Sequence, residues 1–333
     1  MKTVLITGAT GYVGTTLVKA YLEQGFQVVA TARTQENLDA LAAANPGRAL
    51  TTHALDVTDA AATDAAIAQH QPDIIVHASA FPRRKMAEAV AEGQPFEESP
   101  LYQLNANGAR NVAVAASHLK KPVHLCLVSS GAAFQQQLTH VNLASPRDME
   151  NPFARSKNIG EKLVEEALAD APHVATSVLY SPVILDKEQV KGIIPFAADK
   201  ALKGEPITNN APTGAGMNFV LADDFGKMVL GVTTRQTEGF ERYPVNGFRI
   251  PTQDLLTKVA SAVRVQNMGK TAPVVQGPTT ANGMPQADES KLRGLLGPDF
   301  EWQGVDATVN SIVKARIELA RAEKPKRSGG VTM

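Results

Sequence analysis

Gly8, Gly11 and Gly14 fall between an apolar run, Val4 to Ile6, and an apolar helical pattern through Leu17, Val18, Tyr21 and Leu22. A glycine turn that joins a buried strand to a helix suits a dinucleotide. One glycine lets the chain turn sharply, one lets the backbone approach a pyrophosphate, and one lets the helix pack on the strand. The helix start, Thr10-Gly11-Tyr12-Val13-Gly14, then offers N–H groups and partial positive charge to the phosphates. An ordinary tight turn is the competing reading. A Walker loop is excluded, because no Gly-Lys-Ser/Thr follows. The next strand, Gln27 to Ala32, ends in Arg33-Thr34. An acid here would hold a ribose 2′-hydroxyl, whereas an arginine suits a 2′-phosphate. The expected cofactor is therefore NADP(H), with Arg33 on the extra phosphate and Thr34 as a second donor; the alternative is a solvated surface arginine.

Other polar residues stand where strands end. Asp56-Val57 follows strand three, where a carboxylate on the nucleotide side of the sheet either meets an adenine amine or is simply a loop carboxylate. Ala78-Ser79-Ala80 follows strand four, and its small side chains leave room for cofactor phosphates and ribose. His77 reads as a packed strand-end histidine rather than a base. Ser130 closes strand five in Val128-Ser129-Ser130, where the chemistry of an open α/β sheet sits, or else it caps a turn. Phe153 and Lys157 are four apart on the following helix and share one face. Arg83-Arg84-Lys85, in a long connection, reads either as a contact for an anionic substrate group or as a solvated face.

The elements that position these residues are six β-α repeats whose strands are apolar throughout. That pattern defines the fold class as α/β: a Rossmann doubly wound parallel sheet with helices on both faces. From Ser181 the pattern changes to a small mixed C-terminal substrate lobe. The expected division is 1–180 for the Rossmann domain, with an interleaved return segment at about 219–250, and 181–218 with 251–323 for the lobe. The tail, 324–333, is charged and then Ser/Gly-rich, as in disordered segments. Lysine plus arginine equals aspartate plus glutamate, 33 each, so neither nucleic acid nor a membrane is expected as a partner. Cys126 is the single cysteine, which excludes disulfides within the chain and thiolate metal sites; no metal is expected. Met1-Lys2-Thr3 runs straight into the first strand, leaving no room for a signal peptide, and no apolar stretch has transmembrane length. The expectation is a soluble, cytoplasmic protein.

Taken in order, several segments resemble the extended short-chain dehydrogenase/reductases, also called the NAD-dependent epimerase/dehydratase family. They are Thr7 to Gly14, Asp56-Val57, Asn105-Ala106-Asn107-Gly108, Val128-Ser129-Ser130, Pro152 to Lys157, Lys203-Gly204-Glu205-Pro206-Ile207 and Ala222-Asp223-Asp224. The resemblance covers almost the whole chain. It implies a small-molecule substrate, cofactor contacts at Lys157, Ser181 and Val183 beside those above, and a lobe interleaved with the core. Relatives often dimerise through helices that here would include Leu101 to Leu119 and Phe153 to Leu168, so a homodimer is the assembly the resemblance allows.

In that family a Ser, a Tyr and a Lys, the last two in a Tyr-x-x-x-Lys helix, carry hydride-transfer chemistry. The Tyr hydroxyl moves the proton of the substrate oxygen, the Lys holds the nicotinamide ribose and lowers the Tyr pKa, and the Ser positions the oxygen. Ser130 and Lys157 match; Phe153 takes the tyrosine position and has no titratable proton. Loss of such an acid typically costs about 10²–10⁴ in rate. Three explanations stand open. The chain is a Tyr-to-Phe variant that traps substrate; or it recruits another acid, for which Tyr102, His140 and a Ser130-bound water are candidates; or it binds NADP without redox turnover. Tyr180 reads as a packing residue. Nucleotide-sugar members also carry an Arg shortly before the Asp-Asp pair, where this chain has Met217 and Asn218. Without that clamp, the expectation is an NADP(H)-dependent oxidoreductase acting on the carbonyl or hydroxyl of a small non-nucleotide metabolite. The alternatives are an epimerase, dehydratase or lyase reaction on the same site, and a non-catalytic NADP sensor.

Overall fold

The computed structural model describes residues 1–82, 85, 89–91, 93–135, 140–186, 192–267, 272–279 and 284–322. Strand and helix alternate from the start: β1 (Thr3–Thr7), α1 (Tyr12–Glu23), β2 (Gln27–Ala32), α2 (Gln35–Ala43), β3 (Leu50–Ala54), α3 (Ala60–His70) and β4 (Ile74–His77). A one-turn helix, α4 (Pro100–Tyr102), continues through a π turn (Gln103–Asn107) into α5 (Gly108–Ser117). Then come β5 (Val123–Ser130), the two-residue β6 (His140–Val141), α6 (Pro152–Ala167) and β7 (Val174–Ser181). The remainder is β8 (Val183–Leu185), α7 (Ile193–Lys203), β9 (Ile207–Asn209), β10 (Gly216–Leu221), α8 (Ala222–Arg235), β11 (Phe240–Pro244) and β12 (Phe248–Pro251). It closes with α9 (Thr252–Asn267), β13 (Val274–Gln276), β14 (Gln286–Ala287), α10 (Ser290–Leu296) and α11 (Val305–Ala322).

Seven strands pair in parallel in the order β3-β2-β1-β4-β5-β7-β11. Both faces are covered, so successive residues of one strand feed opposite cores. Leu5, Ile75 and Leu125 pack with Ile67, Val112 and Val164 on one side; Val4, Ile6 and Val76 pack with Leu17, Val18 and Phe225 on the other. This is why the central strands β1 and β4 read as apolar runs, whereas the edge strands β3 and β11, less covered, carry Thr51, Thr52, His53, Glu241 and Arg242 and depart from the expected pattern. The chain winds outward from β1 to β3 and then crosses back to β4. The crevice where the winding direction reverses, at the carboxyl ends of β1 and β4, is where such sheets take ligands.

After Ser181 a second, three-stranded sheet forms in the order β12-β10-β8. With α7, α9 and α11 it encloses a separate core around Phe219, Leu255 and Ile312. The chain also returns to the first sheet: β11 pairs with β7, and α8 lies against α1, with Gly226 closing on Thr16 and Ala20. The molecule is thus a Rossmann sheet with a smaller mixed C-terminal lobe. β11, which carries Arg242, is thus the seventh strand of the main sheet. Among the described residues no helix is long and apolar enough to cross a membrane, and no cluster of His, Cys, Asp or Glu is arranged to hold a metal.

Candidate functional site

The cleft at the carboxyl ends of the strands begins with backbone. Gly8 has a φ of +67°, and a Cβ there would stand 2.9 Å from the Ser79 backbone. A Cβ on Gly14 would stand 2.1 Å from the Gly8 carbonyl oxygen. The turn is therefore folded tightly on itself and against the end of β4. No side chain caps α1 at Gly11, the arrangement in which first-turn N–H groups meet a phosphate. Gly8, Thr10, Gly11, Arg33, Thr34, Asp56, Val57, Ala78, Ser79 and Ala80 line one cavity of about 310 Å³. Tyr12, Val13, Ser129, Ser130, Phe153, Lys157, Ser181 and Val183 line a second of about 490 Å³, and Ala78 and Ala80 border both. Gly14 lies buried under the turn. A glycine cradle that a Cβ would fill, joined to a cavity wall where the buried Ser129 hydroxyl lacks a protein partner, fits a dinucleotide.

Polar contacts fix the strand ends around this cleft. His77 is buried, and its Nδ1 lies 2.9 Å from Thr7 Oγ1, which also accepts from Ser79 N at 3.4 Å. Burial first, and then the charge of Lys157, pull the His77 imidazolium down to about 3, so the ring is neutral at physiological pH. Asp56 Oδ1 accepts from Thr58 N (3.0 Å) and Thr58 Oγ1 (2.8 Å), while Asn111 Nδ2 donates to Val57 O at 2.9 Å. Asn105, in the π turn, accepts from Phe81 N at 2.8 Å and donates to Ser156 Oγ at 2.9 Å. Ser156 Oγ donates in turn to Phe153 O at 2.8 Å. Gly160 allows this approach, since a Cβ there would stand 2.5 Å from Asn105 O. Asn105 and Ser156 thereby set the position of the helix that carries Phe153 and Lys157. Sequence reasoning quoted both residues without giving either a role; Asn105-Ala106-Asn107-Gly108 was the available signal.

At the other end of the cleft, Asn151 caps α6 by accepting from Phe153 N (3.0 Å) and Ala154 N (3.2 Å). The Phe153 ring is 7% exposed and packs with Ala89 and Leu101. Lys157 is 8% exposed and donates from Nζ to Val128 O at 3.2 Å. Burial pulls its ammonium down to about 8. Ser130 Oγ accepts from Ala132 N at 3.2 Å and also lines the cavity, so turn cap and site residue are one group.

Of the candidate acids, Tyr102 packs edge-on against Phe96 and does not line this cavity. His140 is exposed on β6 and borders a different one. Tyr180 is buried with its hydroxyl 2.7 Å from Glu161 and accepting from Arg147 Nη2 at 2.7 Å, a packed and fully engaged group. Met217 and Met284 present apolar surface from the lobe. Arg83 and Arg84 lie outside the described residues, as does the tail from 323. Arg249 was missed by sequence reasoning: antiparallel pairing sets it opposite Asn218, and its Nη1 donates to Asn218 Oδ1 at 3.0 Å. Only strand register reveals that contact.

A glycine-turn Rossmann sheet with a smaller lobe, and a cleft at its strand ends, mark the class of folds that take dinucleotides. Residues 4–246 match the model of the NAD dependent epimerase/dehydratase family, and the chain belongs to that family. It is 25% identical to the UDP-glucose 4-epimerase of Mycolicibacterium smegmatis, over 95% of this chain and 98% of that protein. Its fold is similar to UDP-glucuronic acid 4-epimerase from Bacillus cereus in complex with UDP-glucuronic acid and NAD. That likeness has a TM-score of 0.76 at 16% identity and covers 95% and 99% of the two chains. The Bordetella bronchiseptica enzyme WbmH in complex with NAD+ is similar with a TM-score of 0.73 at 21% identity, covering 96% and 99%.

These relatives correct the expected cofactor, substrate and enzyme class. The cofactor named with them is NAD rather than NADP(H), and the substrates are UDP-sugars rather than a small non-nucleotide metabolite. What these relatives overturn in the expected enzyme is its NADP dependence and its substrate, not its family. Arg33 is exposed on the first cavity, whose lining Asp56 shares from the end of β3, so the arginine's type and place alone do not require a 2′-phosphate.

Proposed function

We propose that this protein holds NAD along the cleft and carries out an epimerase/dehydratase-type reaction on a nucleotide sugar. The observation that carries this reading is the continuity of the cleft, from the Gly8–Gly14 turn past Ala78 and Ala80 to Ser130 and Lys157, with the lobe's Met217 and Met284 on its far wall. In this reading the pyrophosphate lies at the start of α1, with Thr10, Tyr12 and Val13 about it. Asp56 and Val57 meet the adenine, Ala78, Ser79 and Ala80 leave room for ribose, and Ser181 and Val183 border the nicotinamide. Lys157 holds the nicotinamide ribose, and Ser130 orients the sugar oxygen. The bound nicotinamide supplies reversible removal of a hydride from a carbinol carbon. Residues 1–180 with the return segment 219–250 then form the cofactor domain, and 181–218 with 251–323 the sugar-binding lobe.

Phe153 favours one second reading, a dinucleotide-binding protein without turnover, because the position that faces the reacting oxygen carries no hydroxyl. One experiment separates the two. NADH and NADPH are titrated by fluorescence, and UDP-glucose and UDP-glucuronic acid are then followed by proton NMR with NAD present. The expected result is NADH binding at least ~10-fold tighter than NADPH, with conversion of one sugar. Tighter NADPH binding would sink the cofactor assignment. Tight NADH binding with both sugars unchanged supports the binder.

A further inference from the structure

We propose that Lys157 itself exchanges the proton of the substrate hydroxyl, taking over the task that Phe153 has no group to perform. The inference rests on the nucleotide-sugar reading above. Among the described residues, three titratable side chains line the cavity at this end: Tyr12, Asp148 and Lys157. Two are engaged elsewhere. Tyr12 donates its hydroxyl to Ile184 O at 3.2 Å, and burial, reinforced by Asp186, drives its phenol pKa up, away from the working range. Asp148 Oδ1 accepts from the backbone N–H groups of Glu150 (3.0 Å) and Asn151 (2.9 Å), which ties that oxygen into the loop before α6.

Lys157 differs in each respect. It lies one helical turn beyond Phe153 on the same face, and it lines the same cavity as Ser130 and Phe153. Its single hydrogen bond among the described residues goes to Val128 O, so an amine with up to three donors retains capacity toward the cavity. No carboxylate of the described residues is in ion-pair contact with it. The groups that face it are neutral or held back: His77 behind it at the end of β4 is an uncharged imidazole, and Ser129 and Ser130 border it from β5. Burial without a counter-charge favours the neutral amine, and the pKa of about 8 places both protonation states within reach near neutral pH. A proton carrier works best when its pKa lies near the operating pH.

Bound NAD would accept the hydride, with its electron pair, from the carbinol carbon. The O–H bond breaks and its proton passes to the neutral Lys157 amine, giving an ammonium and a carbonyl. The reverse step returns both to the same carbon and oxygen. Ser130 Oγ donates to the substrate oxygen throughout.

The test uses the full chain loaded with NAD. Lysine reactivity toward acetic anhydride, read by peptide mass spectrometry across about pH 6–11, gives a Lys157 midpoint near 8. A midpoint in the ordinary lysine range, about 10.4, overturns the proposal. Where UDP-glucose turns over, kcat rises with pH through the same midpoint. Lys157→Arg, which stays charged, removes that rise and lowers kcat by about 10²–10⁴; a rise that survives in Lys157→Arg also overturns the proposal. NADH fluorescence and UDP-glucose calorimetry on the same samples judge the nucleotide-sugar reading separately. Failure of either binding sinks that reading, while the labelling midpoint decides the state of Lys157 with or without sugar.

Discussion

At the phosphate end of the cleft the wall is largely backbone: Gly8, Gly11 and Gly14 are adjacent in sequence and bring main chain against main chain. At the opposite end the wall is side chain, and Ser130, Ser181 and Met217 arrive from three strands while Phe153 and Lys157 arrive from α6. A backbone-built site fails abruptly when an atom is added, because no rotamer relieves a clash with a carbonyl. A side-chain site tolerates replacement, and at Phe153 the helix, its Asn151 cap and the cavity form around a phenyl ring. The glycine end is thereby constrained by sterics, while the side-chain end is less so.

The largest effect expected is at Gly14. Gly14→Ala drives a Cβ into the Gly8 carbonyl, costing about 4 kcal/mol or more, above the usual range for overpacking, and abolishing NADH binding; urea unfolding and fluorescence titration measure the two. Next comes acid. His77 has a folded-state value of about 3, below the unfolded value of about 6.5, so the unfolded chain takes up the proton first as pH falls. Its contribution to stability is complete above about pH 6.5 and is lost as pH falls toward 3. By about pH 4 the loss is on the order of 3 kcal/mol, read by urea unfolding at several pH values; His77→Gln flattens that limb.

Smaller effects sharpen the contrast. Asn105→Ala leaves Phe81 N without its acceptor and takes the Asn105 donor from Ser156 Oγ and costs about 2 kcal/mol, with kcat falling more than NAD affinity, because α6 shifts while the glycine turn does not. Asn151→Ala removes the α6 cap at about 1 kcal/mol, visible as a lower urea midpoint. Phe153→Tyr is the mildest for binding: NADH affinity stays within about twofold, since one hydroxyl is added to the second cavity and not to the one that Gly8 and Gly11 line. A large loss of NADH affinity in Phe153→Tyr would break the independence of the two ends.

Much of the cofactor half was legible in the residues, because a strand, a glycine turn and a helix start are local features with local steric causes. Arg33 misled for an equally physical reason. The residue type at the end of β2 was correctly located, but whether it holds a 2′-phosphate depends on its exposure and on what shares the cavity, and Asp56 enters from another strand. The Asn105–Ser156–Phe153 chain spans two helices that only packing brings together, and Arg249 reaches Asn218 only through antiparallel register.

The sequence by itself determined the family, the doubly wound sheet and the absence of a phenol at Phe153, since these depend on residue identity and short-range pattern. The tertiary structure decided that Ser130, Phe153 and Lys157 share one cavity, that Tyr102, His140 and Tyr180 do not line it, and that Lys157 is buried with no ion-pair partner among the described residues. Those are matters of distance and desolvation between segments far apart along the chain, and no local pattern encodes them.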